Sequence, residues 1–217
     1  MKKYLVSLFA ATFILSSSTA AFASADTTNN GEVTPSVSTA QLEVQANNPA
    51  KINEALESGL VVDESNPVAT YTFDDGSYIQ LTSSVSQNRS LPSLIAPAAN
   101  GIWTADVTLS AHSAVTGDTL LLWSYTLKQE YITDGNKITW YNSVPSTSFY
   151  SPIWSLWNLD GEVAGVGPGP SSGTIRATSS IKTSFGIWEI NPQTTNGELI
   201  LNIKGDGSYT SSSRKWS

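Results

Sequence analysis

The chain contains no cysteine and a single histidine in 217 residues. Without cysteine there can be no disulfide, thiolate metal site, thiol nucleophile or lipid attachment through sulfur. One imidazole, His112, cannot supply the ligands of a histidine-type zinc site, and any mechanism that needs a histidine base has to use it. Charge is also scarce: 13% of residues are Asp, Glu, Lys or Arg, and 18 acids outnumber 11 bases. At a pI near 4.6 there is no phosphate-neutralising surface, which argues against nucleic acid as a partner. Beyond residue 15 no segment has the ~18 consecutive apolar residues that a membrane-spanning helix needs.

What is present begins with Lys2 and Lys3, followed by twelve apolar-rich residues from Tyr4 to Leu15. Small polar residues come next, then two overlapping Ala-x-Ala sites, Ala21-Phe22-Ala23 and Ala23-Ser24-Ala25. Basic start, short apolar run and small-residue site stand in the order of a secretory signal. Residues 1–25 are therefore expected to be removed near Ala23 or Ala25, leaving a secreted chain with no integral membrane segment. Removal takes two lysines and no acid, moving the formal charge from −7 to −9. An acidic chain of this kind is repelled by anionic lipid and by phosphate polymers.

Residues 26–46, rich in Thr, Asn, Ser and Val, read as a flexible spacer. Residues 47–62 read as a short helix and an arm. Asn48 suits the cap, Pro49 the first helical position and Gly59 the stop, while Ile52, Ala55 and Leu56 fall on one face. From residue 68 to the end the pattern has period two. Residues 68–73 and 78–85 flank Asp74-Asp75-Gly76-Ser77, a hairpin signal. Trp103, Ala105, Val107 and Leu109 alternate with polar residues, and Leu121, Trp123, Tyr125, Leu127 and Tyr131 share a face. Further strands are expected at 175–181, 185–190 and 199–203, with Asp134-Gly135, Asn196-Gly197 and Asp206-Gly207 as turns. Nine to ten strands without crossover helices point to an all-β fold, an antiparallel β-sandwich in preference to a small barrel.

Chemistry has few places to reside. His112 lies just past the Trp103 run; Asp106 or Asp118 could orient it, but no Gly-x-Ser-x-Gly elbow accompanies it, and an exposed loop histidine is the simpler reading. The Gly- and Pro-rich stretch 165–173 lacks the Lys-Ser/Thr of a phosphate loop and reads as a surface loop. The Asp-rich turns lack an Asp-x-Asp-x-Asp-Gly run, so turn chemistry accounts for them without calcium. No metal or cofactor is expected. Paired carboxylates are the remaining catalytic route, with Glu130 and Glu189 as the strand-borne candidates for a glycosidase-like hydrolase and Asp160 and Glu162 placed in a turn. The amphipathic, Ser/Thr-rich segment 174–184 admits a third class, a membrane-active β-toxin, although any exposed sheet face has the same composition.

The densest feature is aromatic. Trp140, Tyr141, Phe149, Tyr150, Trp154 and Trp157 fall within eighteen residues, interleaved with Ser and Pro. Such rings either fill a sandwich core or stack on a ligand such as a sugar. The binding reading selects Trp154, Trp157, Tyr141 and Tyr150, with a polysaccharide or cell-wall polymer as partner.

Met1-Lys2-Lys3 with its Ala-x-Ala site, the cysteine-free remainder, the helix start Asn48-Pro49-Ala50-Lys51-Ile52 and the hairpin Phe73-Asp74-Asp75-Gly76-Ser77 together show a likeness. Over about residues 1–85 the chain resembles the short exported proteins of unknown function of Bacillus-type Gram-positive bacteria. That resemblance implies export from a Gram-positive cell and brings no activity and no site residue. The expectation is a secreted, non-catalytic binding or matrix protein, with the carboxylate hydrolase as the alternative.

Overall fold

A computed structural model describes residues 42–88, 101–114, 119–185 and 193–215. The expected signal segment, most of the spacer, Asp118 and residues 186–190 of an expected strand lie outside that set.

The chain enters through a 3₁₀ turn, Gln45–Asn47, and then helix α1, Pro49–Ser58. The Asn48 side chain accepts from the N–H groups of Ala50 (2.9 Å) and Lys51 (3.4 Å), satisfying two donors that the first turn would leave orphaned. Gly59, at φ +69°, ends the helix. Ile52, Ala55 and Leu56 are buried, as their spacing requires. The spacer ends earlier than expected, because Val44 and Ala46 are already buried in the core.

Among the described residues eleven strands follow: β1 (Leu60–Asp63), β2 (Val68–Thr72), β3 (Tyr78–Asn88), β4 (Ile102–Ser113), β5 (Leu120–Thr133), β6 (Ile138–Tyr141), β7 (Ser146–Tyr150), β8 (Trp157–Pro168), β9 (Ile175–Phe185), β10 (Gln193–Ile203) and β11 (Tyr209–Lys215). All the pairings are antiparallel. One sheet has the order β1-β11-β10-β9-β8; the other runs β2-β3-β4-β5, with β6 and β7 sharing the far edge of β5. The expected all-β sandwich is what the chain forms. The arm at 60–63 is an edge strand on β11, and the aromatic segment supplies two short strands, so the count exceeds the nine or ten expected.

Alternation packs the core. Ile79, Leu81, Ala105, Val107, Leu109, Tyr125, Leu127 and Tyr131 from one sheet meet Ile175, Ala177, Ile181, Leu199, Leu201 and Ile203 from the other. Two pairs of polar groups on the inner faces bond across the gap: the Ser83 hydroxyl bonds Ser211 (3.0 Å) and the Tyr125 hydroxyl bonds Ser179.

The two ends differ. At one end α1 and the 3₁₀ turn close the gap. Ala46 N–H donates to the Ser77 hydroxyl (3.0 Å), Asn53 to the Thr194 carbonyl (3.3 Å), and the Trp157 indole N–H to Asn47 Oδ1 (2.6 Å). At the other end lie the turns 134–137 and 204–208, where Gly135 (φ +91°) and Gly207 (φ +90°) adopt a conformation that side chains disfavour. The remaining Asn-Gly signal misleads: Asn196 and Gly197 sit within β10, paired to Lys182 and Ile181.

Candidate functional site

The aromatic segment runs along the lateral edge of the sandwich, from β6 and β7 of one sheet into β8 of the other. Register decides which rings face water. Trp140 pairs with Ile132 and Tyr150 with Ser124, and both partners lie on the outer face of β5. Tyr141 pairs with Tyr131, and Phe149 with Tyr125, on the inner face. Trp140 is 46% exposed, Tyr150 57% and Tyr141 39%. Ile132 and Ser124 are eight residues apart on β5, so the two outward rings are separated by about 26 Å along the strand at 3.3 Å per residue.

The outer floor between them consists of hydroxyls and a few charges. Thr126 and Lys128 of β5 pair with Ser148 and Ser146 of β7, and the Thr108 and Thr126 hydroxyls bond at 2.8 Å. Lys128 reaches Asp106 at 3.9 Å. Burial raises the Asp106 carboxyl, and Lys128 partly offsets this.

One expected site residue is corrected, and the expected Trp154–Trp157 pair with it. Trp157 is 4% exposed and cannot offer a ring to a ligand; it packs against Trp123 (ring centroids 5.7 Å) and Phe185 (5.4 Å), with its N–H held by Asn47. Trp154 is half-buried in the short 3₁₀ turn Ile153–Ser155, against the core. The intervening Leu156 takes φ +61°, a left-handed conformation rare for a branched residue, at the point where the chain passes from that turn into β8. Trp154 and Trp157 are therefore not an exposed pair, whereas Tyr141 and Tyr150 do reach solvent. Trp140, which the binding reading did not select, is exposed as well. Its place on the outer face follows from strand register, which spacing alone did not give.

The catalytic candidates are scattered. Glu130 lies on the outer face of β5, half-buried, and Glu189 lies outside the described residues. Asp160 and Glu162 stand within β8, not in a turn. Asp160 accepts from the Ser184 hydroxyl (2.9 Å), and Glu162 from Thr147 across the gap between β7 and β8. Gly165 and Gly167 also belong to β8, so only the end of the Gly- and Pro-rich stretch forms a turn. His112 is no loop residue: it lies in β4, half-buried, stacked on Tyr78 at 4.7 Å and 13°, with Nε2 2.8 Å from the Ser110 hydroxyl. Burial lowers its pKa below 6.5, keeping the ring neutral. Segment 174–184 is largely β9, a central strand whose inner Ile175, Ala177, Ser179, Ile181 and Thr183 are buried. Among the described residues no group of three or more His, Cys, Asp or Glu side chains is placed to hold a metal ion, and no helix is long and apolar enough to cross a membrane.

Compared with models of protein families, with curated proteins and with solved structures, the chain matches none. What it does has to be read from its own side chains.

Proposed function

We propose that the chain is a secreted, non-catalytic binding protein that holds an extended glycan along the outer face of β5, β6 and β7. One observation carries this reading: two exposed rings, Trp140 on β6 and Tyr150 on β7, lie alongside the outer face of β5 with a hydroxyl-lined floor between them. Rings fixed on a rigid sheet stack on the apolar faces of sugars, and Ser and Thr hydroxyls both donate to and accept from sugar hydroxyls. A separation of about 26 Å along the strand suits an extended polymer better than a compact ligand. The acidic surface favours uncharged polysaccharide over phosphate-bearing polymers.

The test is binding to a panel of insoluble and soluble neutral polysaccharides, cell-wall glycan included, with the Trp140→Ala/Tyr150→Ala double variant as control. Expected is retention by at least one polymer, weakened about tenfold or more in the variant, in keeping with the dominance of a few aromatic anchors. Absence of retention by every polymer, or equal retention by the variant, overturns the reading.

A further inference from the structure

Strand β8 is the last strand of its sheet: β9 pairs with one side of it, and among the described residues no strand pairs with the other. None of residues 158–168 is buried, and Val163 is 70% exposed. An edge of this kind presents a row of unpaired N–H and C=O groups, which proteins usually blunt with charge, proline or a bulge. Here those devices stand at the two ends of one stretch. The bulge between Leu159 and Gly161 lies on one side and Pro168 on the other, and residues 161–167 between them hold a single charge, Glu162.

The ladder settles which groups point outward. The Gly169 N–H donates to the Thr174 carbonyl (2.9 Å), and from there the register with β9 runs without a shift to Gly161 opposite Lys182. Residues of an antiparallel strand turn their backbone groups toward the partner and away from it alternately. Gly161, Val163, Gly165 and Gly167 therefore face β9, whereas Glu162, Ala164 and Val166 direct N–H and C=O to the open side. Pro168 falls on the open side too, where its missing N–H costs no bond to β9. Side chains alternate as well. Glu162, Ala164 and Val166 lie opposite the buried Ile181, Ser179 and Ala177, on the inner face. The outer face of the stretch carries Val163 alone among three glycines, and a Cβ on Gly161, Gly165 or Gly167 would meet nothing within 4 Å.

This stretch complements itself. Turned about a two-fold axis through Ala164 and laid antiparallel against its own image, it sets Ala164 opposite Ala164 and Glu162 opposite Val166. All three outward residues then fall in hydrogen-bonded pairs, about six N–H···O bonds in all. A register centred one residue away leaves one of the three without a full pair, and one centred on Glu162 sets like charges face to face. In the Ala164 register the sole charge meets an apolar side chain and not its own copy, and Glu162 is already engaged by the Thr147 hydroxyl. Val163 falls beside Gly165, so each exposed valine lies next to a residue with open space over it.

We propose that residues 161–167 of β8 are a self-association surface, pairing antiparallel with the same residues of a second copy so that the β8 sheets of two chains become continuous. The contact is isologous, as a two-fold dimer requires. At about 23 Å of paired strand it is small for a protein interface, which sets a dissociation constant in the micromolar range. The inference does not depend on the glycan reading.

The test is sedimentation analysis of the purified protein from about 1 to 500 µM, a range that brackets a micromolar Kd. Expected is a reversible monomer–dimer equilibrium. Ala164→Pro removes an N–H that no partner among the described residues uses, and Val163→Lys sets two like charges on either side of the axis. Each should weaken dimerisation about tenfold or more with far-UV circular dichroism unchanged. Should Ala164→Pro fail to fold, Val163→Lys decides alone. Amide hydrogen exchange identifies the occupant: the N–H groups of Glu162, Ala164 and Val166 should exchange slowly in concentrated solution and fast in dilute solution. A monomer at every concentration, or dimerisation undiminished in Val163→Lys, overturns the inference. So does slow exchange of these amides in the monomer, which would mean that another segment of the same chain covers the edge.

Discussion

Single residues carry much of the distinction between core and surface in this protein. Trp157 and Trp140 have the same side chain within one aromatic-rich segment, yet one is locked to Asn47 and the other stands in solvent. Ring count and interleaved Ser and Pro were legible in the sequence, but which ring turns inward was not. That choice depends on register against β5 and on the left-handed turn at Leu156, neither of which leaves a compositional trace. His112 is a second case. Its place just past the Trp103 run suggested a loop residue, whereas a partner strand brings Tyr78 against it. Its lowered pKa has a consequence for stability. The unfolded chain takes up a proton near pH 6.5, while the buried ring resists it. Stability contributed by the neutral imidazole is therefore present above pH 6.5 and is lost as pH falls through the unfolded value toward the folded one. NMR titration of His112 should give a midpoint below 6.5. Urea melts between about pH 7.5 and pH 5 should show a loss of stability that is smaller in His112→Gln. A midpoint above 6.5 would contradict the burial described for this ring.

Among the elements, helix α1 was the most legible, because cap, first-position proline, apolar face and terminal glycine lie within a dozen residues and need no distant partner. The β2–β3 hairpin and the alternation in β4 and β5 were legible for the same reason. Strands β9 and β11 were harder to read. Their inner faces contain Ser179, Thr183, Ser211 and Ser213, and an inward serine looks like an outward one until its partner on the other sheet is known. The turns 134–137 and 204–208 are elements too, and they pack closely. A Cβ placed on Gly205 would lie 2.1 Å from the Asn136 carbonyl oxygen and 2.3 Å from Lys137 Cα, both backbone atoms that cannot rotate away. Gly205→Ala should therefore destabilise the fold by about 1–3 kcal/mol, the usual cost of overpacking, and should loosen the turns that carry Asp134 and Asp206. A thermal melt of the variant indistinguishable from the parent would show that the two turns do not meet as described.

At the scale of the whole molecule, the sandwich follows from strands that alternate over long runs and from the lack of crossover helices between them. A core built this way leaves two ends, and helix α1 closes one of them. The residues of the opposite end, Trp103 and Tyr131, read in sequence as ordinary core positions at the beginning and end of strands. Their unpartnered donors appear only once both sheets are assembled. The glycan recognition proposed above depends on the division of the aromatic residues between inside and outside. That division is best tested by residue-resolved hydrogen exchange of the tryptophan indole N–H groups, which needs no ligand. Trp157, buried and bonded to Asn47, should exchange slowly and only with opening of the fold, while Trp140 should exchange at close to the rate of a free indole. Rapid exchange at Trp157, or protection at Trp140 equal to that of Trp157, would contradict the account.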